Sequence, residues 1–472
     1  MQLTHEQQAI VDYVRDNDGL TMVSAVAGSG KTALLVELSK QLNTTNALYM
    51  AYNKSIATEA SKRFPKSVHC STTHSLAYKP TVRGKNKLKL GRFTQRNVRE
   101  FTLYEERVDF VETFKRFCLS KYTSFERFIL EENCSPDYIK PGNAYLAKME
   151  AGEIECTHDF YLKLFHMYLA CGELTYPPFD LIMLDEAGDL NEVTLEIFKL
   201  LPSRKKVMVG DPYQNIYTFN YTINCFEIMK DVGKLMPMSQ SFRVSEPIAE
   251  RIEGFCQKYL NPSMQFKGVP LTDKSITSRA YIARTNSSLI AHMMELNAQS
   301  IPYGLTRKAD QIFDLALLVC SFRYQGFIKN PEYTHVQADI DYYMENLPDL
   351  RRDYGSLFSY LIDKYSDDIT LVNAIKLVTR YSKKEILACH HEAKKHERTN
   401  QTYMLGTAHS MKGLEADEVT LAPDMNESII DYINQKRANP NATFDLTALT
   451  ELNLYYVACS RARKTLINAI YL

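Results

Sequence analysis

Short apolar runs punctuate the chain, and apolar residues between them recur at helical spacing. Leu20–Val23, Ala47–Tyr52, Val68–Ser71, Phe179–Leu184 and Lys206–Val209 read as strands, most of them continuous enough to be buried. Residues 3–16, with Leu3, Ile10, Val11 and Val14 apolar, read as a helix opened by Thr4 with Gln7 three residues on, a capping box. Further helices are expected over Ala33–Leu38 and from Asn53-Lys54-Ser55 to Arg63. Strands alternating with helices predict an α/β protein with parallel sheets, whose ligands collect at the carboxyl ends of the strands. Near the end of the chain, Tyr455-Tyr456-Val457 reads as strand and sets Arg461 at a strand end.

Two stretches break this alternation. Residues 79–157 open with Lys79, Arg83, Lys85, Lys87, Lys89, Arg92, Arg96 and Arg99 and no acidic residue, then show helical patterns with Phe101, Phe110, Phe114 and Phe117. They read as an insertion, and the basic run as a phosphate-contacting surface or a solvated loop. Residues 311–399 read as a second helical segment, with Phe313, Leu317, Leu318, Phe322, Leu357, Leu361 and Ile362. Its Cys389-His390-His391-Glu392 and His396 match no tetrahedral metal site, and a solvated helix face is the preferred reading.

At 472 residues the chain exceeds one compact core. Lys plus Arg and Asp plus Glu are both 56, so a nucleic-acid site must be a local groove rather than a global positive field. The ten cysteines form no C-x-x-C pair, which argues against zinc ribbons and fits a reducing compartment. Neither an apolar leader nor an apolar run of membrane-spanning length occurs, so a soluble, cytoplasmic protein is expected.

The densest chemistry lies at Ala25-Val26-Ala27-Gly28-Ser29-Gly30-Lys31-Thr32, between strand and helix, the context of a P-loop. The glycines let successive backbone N–H groups face a phosphate, Lys31 supplies a point charge, and the Thr32 hydroxyl is placed to hold Mg²⁺. Ala25 replaces the usual first glycine. The apolar strand Phe179–Leu184 delivers Asp185 and Glu186, one carboxylate for Mg²⁺ and one to polarise water. A third strand delivers Gly210-Asp211-Pro212-Tyr213-Gln214, whose amide suits a γ-phosphate contact. Gln7 is either a helix cap or a reader of adenine.

The series resembles the superfamily 1 DNA helicases of the UvrD/Rep/PcrA-like branch, closest to the F-box DNA helicase group. The matching stretches run from end to end: Leu3-Thr4-x-x-Gln7, Ala25–Thr32, Tyr52-Asn53-Lys54-Ser55, Thr72-Thr73-His74-Ser75, Asp185-Glu186-Ala187 and Gly210–Tyr217. They continue as Gln240-Ser241-Phe242-Arg243, Ala283-Arg284-Thr285-Asn286, Thr407–Glu415 and Tyr455–Ala462. In this family Ala takes the place of the first P-loop glycine.

The resemblance implies two RecA-like parallel-sheet motor domains forming an ATP cleft, each with a mainly helical insertion. The first would combine residues 1–78 and 158–245, with 79–157 inserted; the second, 246–310 and 400–472, with 311–399 inserted. It implies ATP and Mg²⁺ as cofactors, with Thr32 and Asp185 on the metal. Ala27, Gly28, Ser29, Gly30, Lys31, Thr32 and Ala33 would hold the phosphates, Gln7 and Phe242 the adenine, and Gly413 and Glu415 the ribose side. Lys31, Asp185, Glu186, Gln214, Arg243 and Arg461 would be catalytic, the arginines reaching the γ-phosphate because a persistent, forked charge matches its oxygens. Arg461 could otherwise be a salt-bridge residue, and Glu415 a helix-start carboxylate. Tyr52, Asn53, Thr73, His74, Tyr217, Phe219, Arg284, Asn286 and His409 would line a single-strand groove, with Phe219 stacking on bases. The partners implied are single-stranded DNA, junctions or forks, and replication or recombination proteins. Movement would be 3′→5′, and the compact size suits a phage protein working in its host's cytoplasm. The rivals are a translocase that displaces proteins with little unwinding, and a P-loop phosphotransferase, which would leave Gln214, Arg243 and Arg461 unexplained.

Overall fold

The computed structural model describes residues 3–84, 88–216, 221–322, 333–346, 354–397 and 402–472. The chain forms two compact units, one ending at Phe242 and the other beginning at Arg243. Each holds a RecA-like parallel sheet.

In the first unit the strands are β1 (Gly19–Ala25), β2 (Ala47–Ala51), β3 (Val68–Thr72), β4 (Phe179–Leu184), β5 (Ser203–Gly210) and β6 (Lys234–Met238), in the spatial order β6-β1-β5-β4-β2-β3. All five pairings are parallel. Successive residues of these strands enter different cores. Val23, Tyr49, Met183 and Val209 pack with Ile10 and Val11 of α1 (His5–Asp16) and Leu34 and Leu35 of α2 (Lys31–Gln41). Met22, Leu48, Ile182 and Met208 join the other core, so the sheet is covered on both faces and its strands read as unbroken apolar runs.

That second core is shared with the helical segment after α3 (Lys54–Arg63) and α4 (Thr73–Thr81). Phe110, Phe114 and Phe117 of α5 (Tyr104–Leu119), Phe125 and Phe128 of α6 (Phe125–Glu131) and Met149 of α7 (Ile139–Glu150) are buried in it. Phe165 of α8 (His158–Cys171) and Phe198 of α9 (Glu192–Leu200) complete it. Phe101 lies ahead of α5, not within it. Lys85 and Lys87 of the basic run fall outside the described residues.

Lysines close several helix ends by donating to the carbonyls that a helix leaves unpaired. Lys205 Nζ reaches Val14 O, Arg15 O and Asn17 O at 2.7, 3.0 and 2.7 Å. The buried Lys163 Nζ reaches Ser120 O and Tyr122 O at 2.6 and 2.8 Å, beyond the end of α5.

The second unit begins with α10 (Glu246–Tyr259) and carries β7 (Arg279–Ala283), β8 (Gly304–Leu305), β9 (Tyr403–Thr407), β10 (Ala416–Leu421) and β11 (Ala462–Ile467), ordered β8-β9-β7-β10-β11 and parallel throughout. Helix α11 (Asn286–Ala298) packs with α12 (Ala309–Phe322), α13 (Thr334–Asn346), α14 (Tyr354–Lys364), α15 (Ile369–Arg380) and α16 (Lys383–His396) around Leu289, Phe313, Leu361 and Ile375. Cys389 is buried there, His390 Nε2 lies 2.9 Å from Asp310, and His396 stacks on Tyr303 at 4.3 Å. No group of metal-binding side chains occurs among the described residues.

Tyr455-Tyr456-Val457 is not a strand. It lies in α17 (Leu446–Cys459), where every residue from Leu454 to Cys459 is buried. A helix end enclosed on all sides shows no polar face, so its short apolar run has the look of a buried strand. Arg461 therefore occupies the turn between α17 and β11. No described helix is long and apolar enough to cross a membrane.

Candidate functional site: a phosphate cradle and its carboxylates

Register sets Leu184 level with Met208, and Met208 level with Met22, so β1, β4 and β5 end together. The loops leaving those ends carry the P-loop, the Asp185-Glu186 pair and the Asp211–Gln214 turn. Gly28 and Gly30 hold φ of +75° and +80°, a backbone region that favours glycine. No side chain caps the start of α2, and Ser29 Oγ is buried without a hydrogen-bond partner. A helix N-terminus left without a side-chain cap is what a nucleotide's phosphates fit. Ala27 is buried in the loop, and Lys31, Thr32 and Ala33 form the first turn of α2.

Lys31 Nζ lies 2.9 Å from Glu186 Oε2, and Thr32 Oγ1 lies 3.4 Å from Asp185 Oδ2. Tyr49 on β2 donates its hydroxyl to the same Asp185 oxygen at 2.6 Å. Burial opposes the Lys31 ammonium, but Glu186, Asp185 and Asp211 outweigh it and raise its pKa. Burial, then the adjacent Glu186, raises the Asp185 carboxyl, against Lys31 and the Tyr49 hydroxyl. Two crowded carboxylates beside a threonine hydroxyl are a donor set that fits Mg²⁺. Glu186 itself is held at φ +53°, a strained conformation of the kind found where a side chain must be aimed.

On the next strand end, Gln214 is buried and donates Nε2 to Asp211 Oδ2 at 2.8 Å. Gln7 caps its helix and also reaches the P-loop. It completes the capping box with Thr4, and its Nε2 donates to Ser29 O at 3.3 Å. The Phe242 backbone N–H donates to Gly28 O at 2.9 Å, while its ring stays 53% exposed. A Cβ placed on Gly30 would stand 3.4 Å from Gln7 Nε2 and 3.7 Å from the Phe242 ring. An amide and an aromatic ring therefore flank the loop.

Of the expected DNA residues in this unit, Tyr52 is 47% exposed and Thr73 is buried in the first turn of α4. Asn53 is engaged as the N-cap of α3, accepting from Ile56 N at 2.9 Å. His74 meets the Tyr161 ring edge-on at 5.8 Å, and burial lowers its pKa. Tyr217 and Phe219 fall outside the described residues. A cavity of about 320 Å³ is lined by Tyr52, Thr73 and His74 together with Asp185, Asp189 and Thr222, so it joins Asp185 to the expected DNA contacts.

In the second unit, Arg243 Nε pairs with Glu415 Oε2 at 2.5 Å, and Arg463 stands 3.8 Å from Glu415. Glu415 lies in the turn before β10, so the helix-start reading does not hold; its charge answers arginines, not a helix dipole. Gly413 turns that loop at φ +85°. Arg461 is 1% exposed, donating to Val457 O at 3.0 Å and Ser460 Oγ at 2.9 Å. Its carbonyl accepts from Ala416 N at 3.1 Å, which brings it beside Glu415 at the amino ends of β10 and β11. Arg284, Asn286 and His409 lie at the opposite, carboxyl ends of β7 and β9. Arg284 is held by a bidentate pair to Glu451 at 2.8 and 2.6 Å, and Asp424 accepts from the N–H groups of Arg284 and Thr285. Asn286 Oδ1 is buried without a partner, and His409 is half-buried in the turn after β9.

Tyr49, Glu451 and Asp424 were missed as functional supports. Nothing in their local sequence marks them, because each acts on a residue more than a hundred positions away.

A family model described as an AAA domain matches residues 7–220. F-box DNA helicase 1 of Gallus gallus is 25% identical over 530 aligned residues, covering 99% of this chain and 49% of that protein. F-box DNA helicase protein 1 of Schizosaccharomyces pombe (strain 972 / ATCC 24843) is 24% identical over 524, covering 98% and 57%. The chain thus spans about half the length of the curated relatives it matches. The resemblance to superfamily 1 DNA helicases extends along nearly the whole chain.

Proposed function

We propose that this chain is an ATP-hydrolysing DNA helicase that translocates 3′→5′ on single-stranded DNA and serves replication, recombination or repair. The observation that carries the reading is the meeting of Lys31, Thr32, Asp185, Glu186 and the Asp211–Gln214 pair at three neighbouring strand ends. A nucleotide's phosphates would take the N–H groups of residues 27–33 and the Lys31 ammonium. Thr32 and Asp185 would hold Mg²⁺, which supplies charge neutralisation when bound. Glu186 would orient and deprotonate the attacking water, and Gln214 would contact the terminal phosphate. Adenine would lie between Gln7 and Phe242.

Arg243 and Arg461 are proposed as further γ-phosphate ligands, with Gly413 and Glu415 on the ribose side. Arg461 would first have to leave Val457 O and Ser460 Oγ. Tyr52, Asn53, Thr73, His74, Tyr217, Phe219, Arg284, Asn286 and His409 are the proposed DNA contacts, extended to forks or junctions by the insertions.

The test is ATP hydrolysis by the purified chain with and without a single-stranded oligonucleotide, at low and moderate salt. Stimulation that weakens as salt rises supports the motor, and directional unwinding assays then separate helicase from translocase. Turnover unchanged by DNA and by RNA would overturn it in favour of phosphotransfer.

A further inference from the structure

Tyr221 holds a backbone φ of +58°. Of the other described non-glycine residues there, Asn43, Asn133 and Asn468 are of a type that tolerates the left-handed region, and Glu186 and Ser300 are not; for a bulky aromatic side chain it is an outlier. Such a conformation persists only where the surroundings over-determine it. At Tyr221 they do so from two directions.

On one side the hydroxyl donates to Glu112 on α5, and the ring faces the Lys115 ammonium at 5.6 Å. Lys115 also stands 3.8 Å from Glu112. Burial, then Glu112, pushes the Tyr221 phenol up to about 12, so it stays a donor at neutral pH. On the other side Thr222–Ile223 pairs antiparallel with Leu190–Asn191, and Thr222 Oγ1 donates to Asn215 Oδ1 at 2.8 Å. Asn215 follows Gln214, which donates to Asp211, and Asp211 acts electrostatically on Lys31. Glu112 and Lys115 are each nearly half exposed, so their contacts add little stability. A strained tyrosine held for a weak contact calls for another explanation.

We infer that Tyr221 is a positioning residue, a clasp tying the Thr222–Asn215 contact that adjoins Gln214 to helix α5 so that displacement of the insertion is felt at the phosphate-facing amide. This rests on the reading of Gln214 given above. The hydroxyl and ring give Tyr221 one preferred placement against α5. Because the contact lies near solvent it can be broken and remade within a catalytic cycle.

The chain contains no tryptophan, so V108W, at an exposed position four residues before Glu112 on α5, puts a single tryptophan beside the intact clasp. Adding the non-hydrolysable analogue adenylyl-imidodiphosphate with Mg²⁺ should shift its emission, and Y221F or E112Q in the same background should abolish the shift. In parallel, Y221F and E112Q should each lower the DNA-stimulated kcat by roughly three- to thirty-fold. The double variant should be no worse than either, with basal rate and the KM for ATP within about two-fold of the parent. Additive losses, or a lowered melting temperature with stimulation unchanged, would mean a structural contact only and overturn the inference. If the parent chain is not stimulated by DNA, the motor reading fails and the V108W emission decides alone: a response lost in E112Q keeps the clasp, and silence overturns it.

Discussion

Lys31 Nζ sits 2.9 Å from Glu186 Oε2, an ion pair that bridges 155 positions and joins the P-loop to the end of β4. Each partner is more than two-thirds enclosed, at 14% and 29% side-chain exposure. The lysine is therefore the counter-ion of a carboxylate pair.

Lys31→Ala should fold, lose ATP turnover, and lose about 1–3 kcal/mol of stability without nucleotide, because the crowded Asp185 and Glu186 lose their counter-ion. Adding Glu186→Gln should recover part of that stability while turnover stays absent. Denaturant melts of the two singles and the double measure the coupling, and turnover by Lys31→Ala would refute the site.

Removing the exposed ring beside Gly30 tests the adenine site. Phe242→Ala should raise the KM for ATP by roughly ten-fold, in line with stacking on one base, and leave kcat near the parent value. Gln7→Ala should narrow the preference for ATP over GTP, besides costing about 1 kcal/mol as a lost cap. An unchanged KM and nucleotide preference would move the base elsewhere.

Lys205 donates to the carbonyls of Val14, Arg15 and Asn17 at the end of α1. Lys205→Met should destabilise the first unit by about 1–3 kcal/mol, since the carbonyls lose a charged donor without gaining another. Urea unfolding reads this directly. Equal midpoints would show that water replaces the ammonium at no cost.

The buried pair on α8 predicts a pH dependence. Burial, then Lys163 and Lys199, lowers His166 from 6.5 to about 3, and its Nδ1 is buried without a partner. Burial lowers Lys163 from 10.5 to about 7. Between the folded and ordinary values the unfolded chain binds more protons, so stability rises with pH across both windows. His166 contributes fully above 6.5 and less as pH falls toward 3; Lys163 contributes fully above 10.5 and less as pH falls toward 7. Acidification from pH 6.5 to 4 should cost roughly 1–3 kcal/mol through His166. His166→Phe should flatten that slope and Lys163→Met the one above neutrality; slopes unchanged in both would remove these groups as its source.

The α/β class, the parallel strands and the P-loop were legible in the sequence because they depend on local order. Val23, Met183 and Val209 lie in unbroken apolar runs since both sheet faces are covered, and Gly28 and Gly30 announce a turn that few other residues make. Carboxylates after an apolar strand likewise announce themselves. The same local rule failed at Tyr455, where a helix buried on all sides shows no period to separate it from a strand.

Partners far apart in sequence needed the tertiary structure. Tyr49 reaches Asp185 because β2 lies beside β4, and Glu451 holds Arg284 because α17 packs near the end of β7. Sheet order and register decide which loops share an edge, and hence that Arg284 and His409 stand at one end of the second sheet while Glu415 and Arg461 stand at the other. The chain's own residue order names the groups expected to do chemistry; only three-dimensional packing, which brings together residues a hundred or more apart, selects what holds each of them in place.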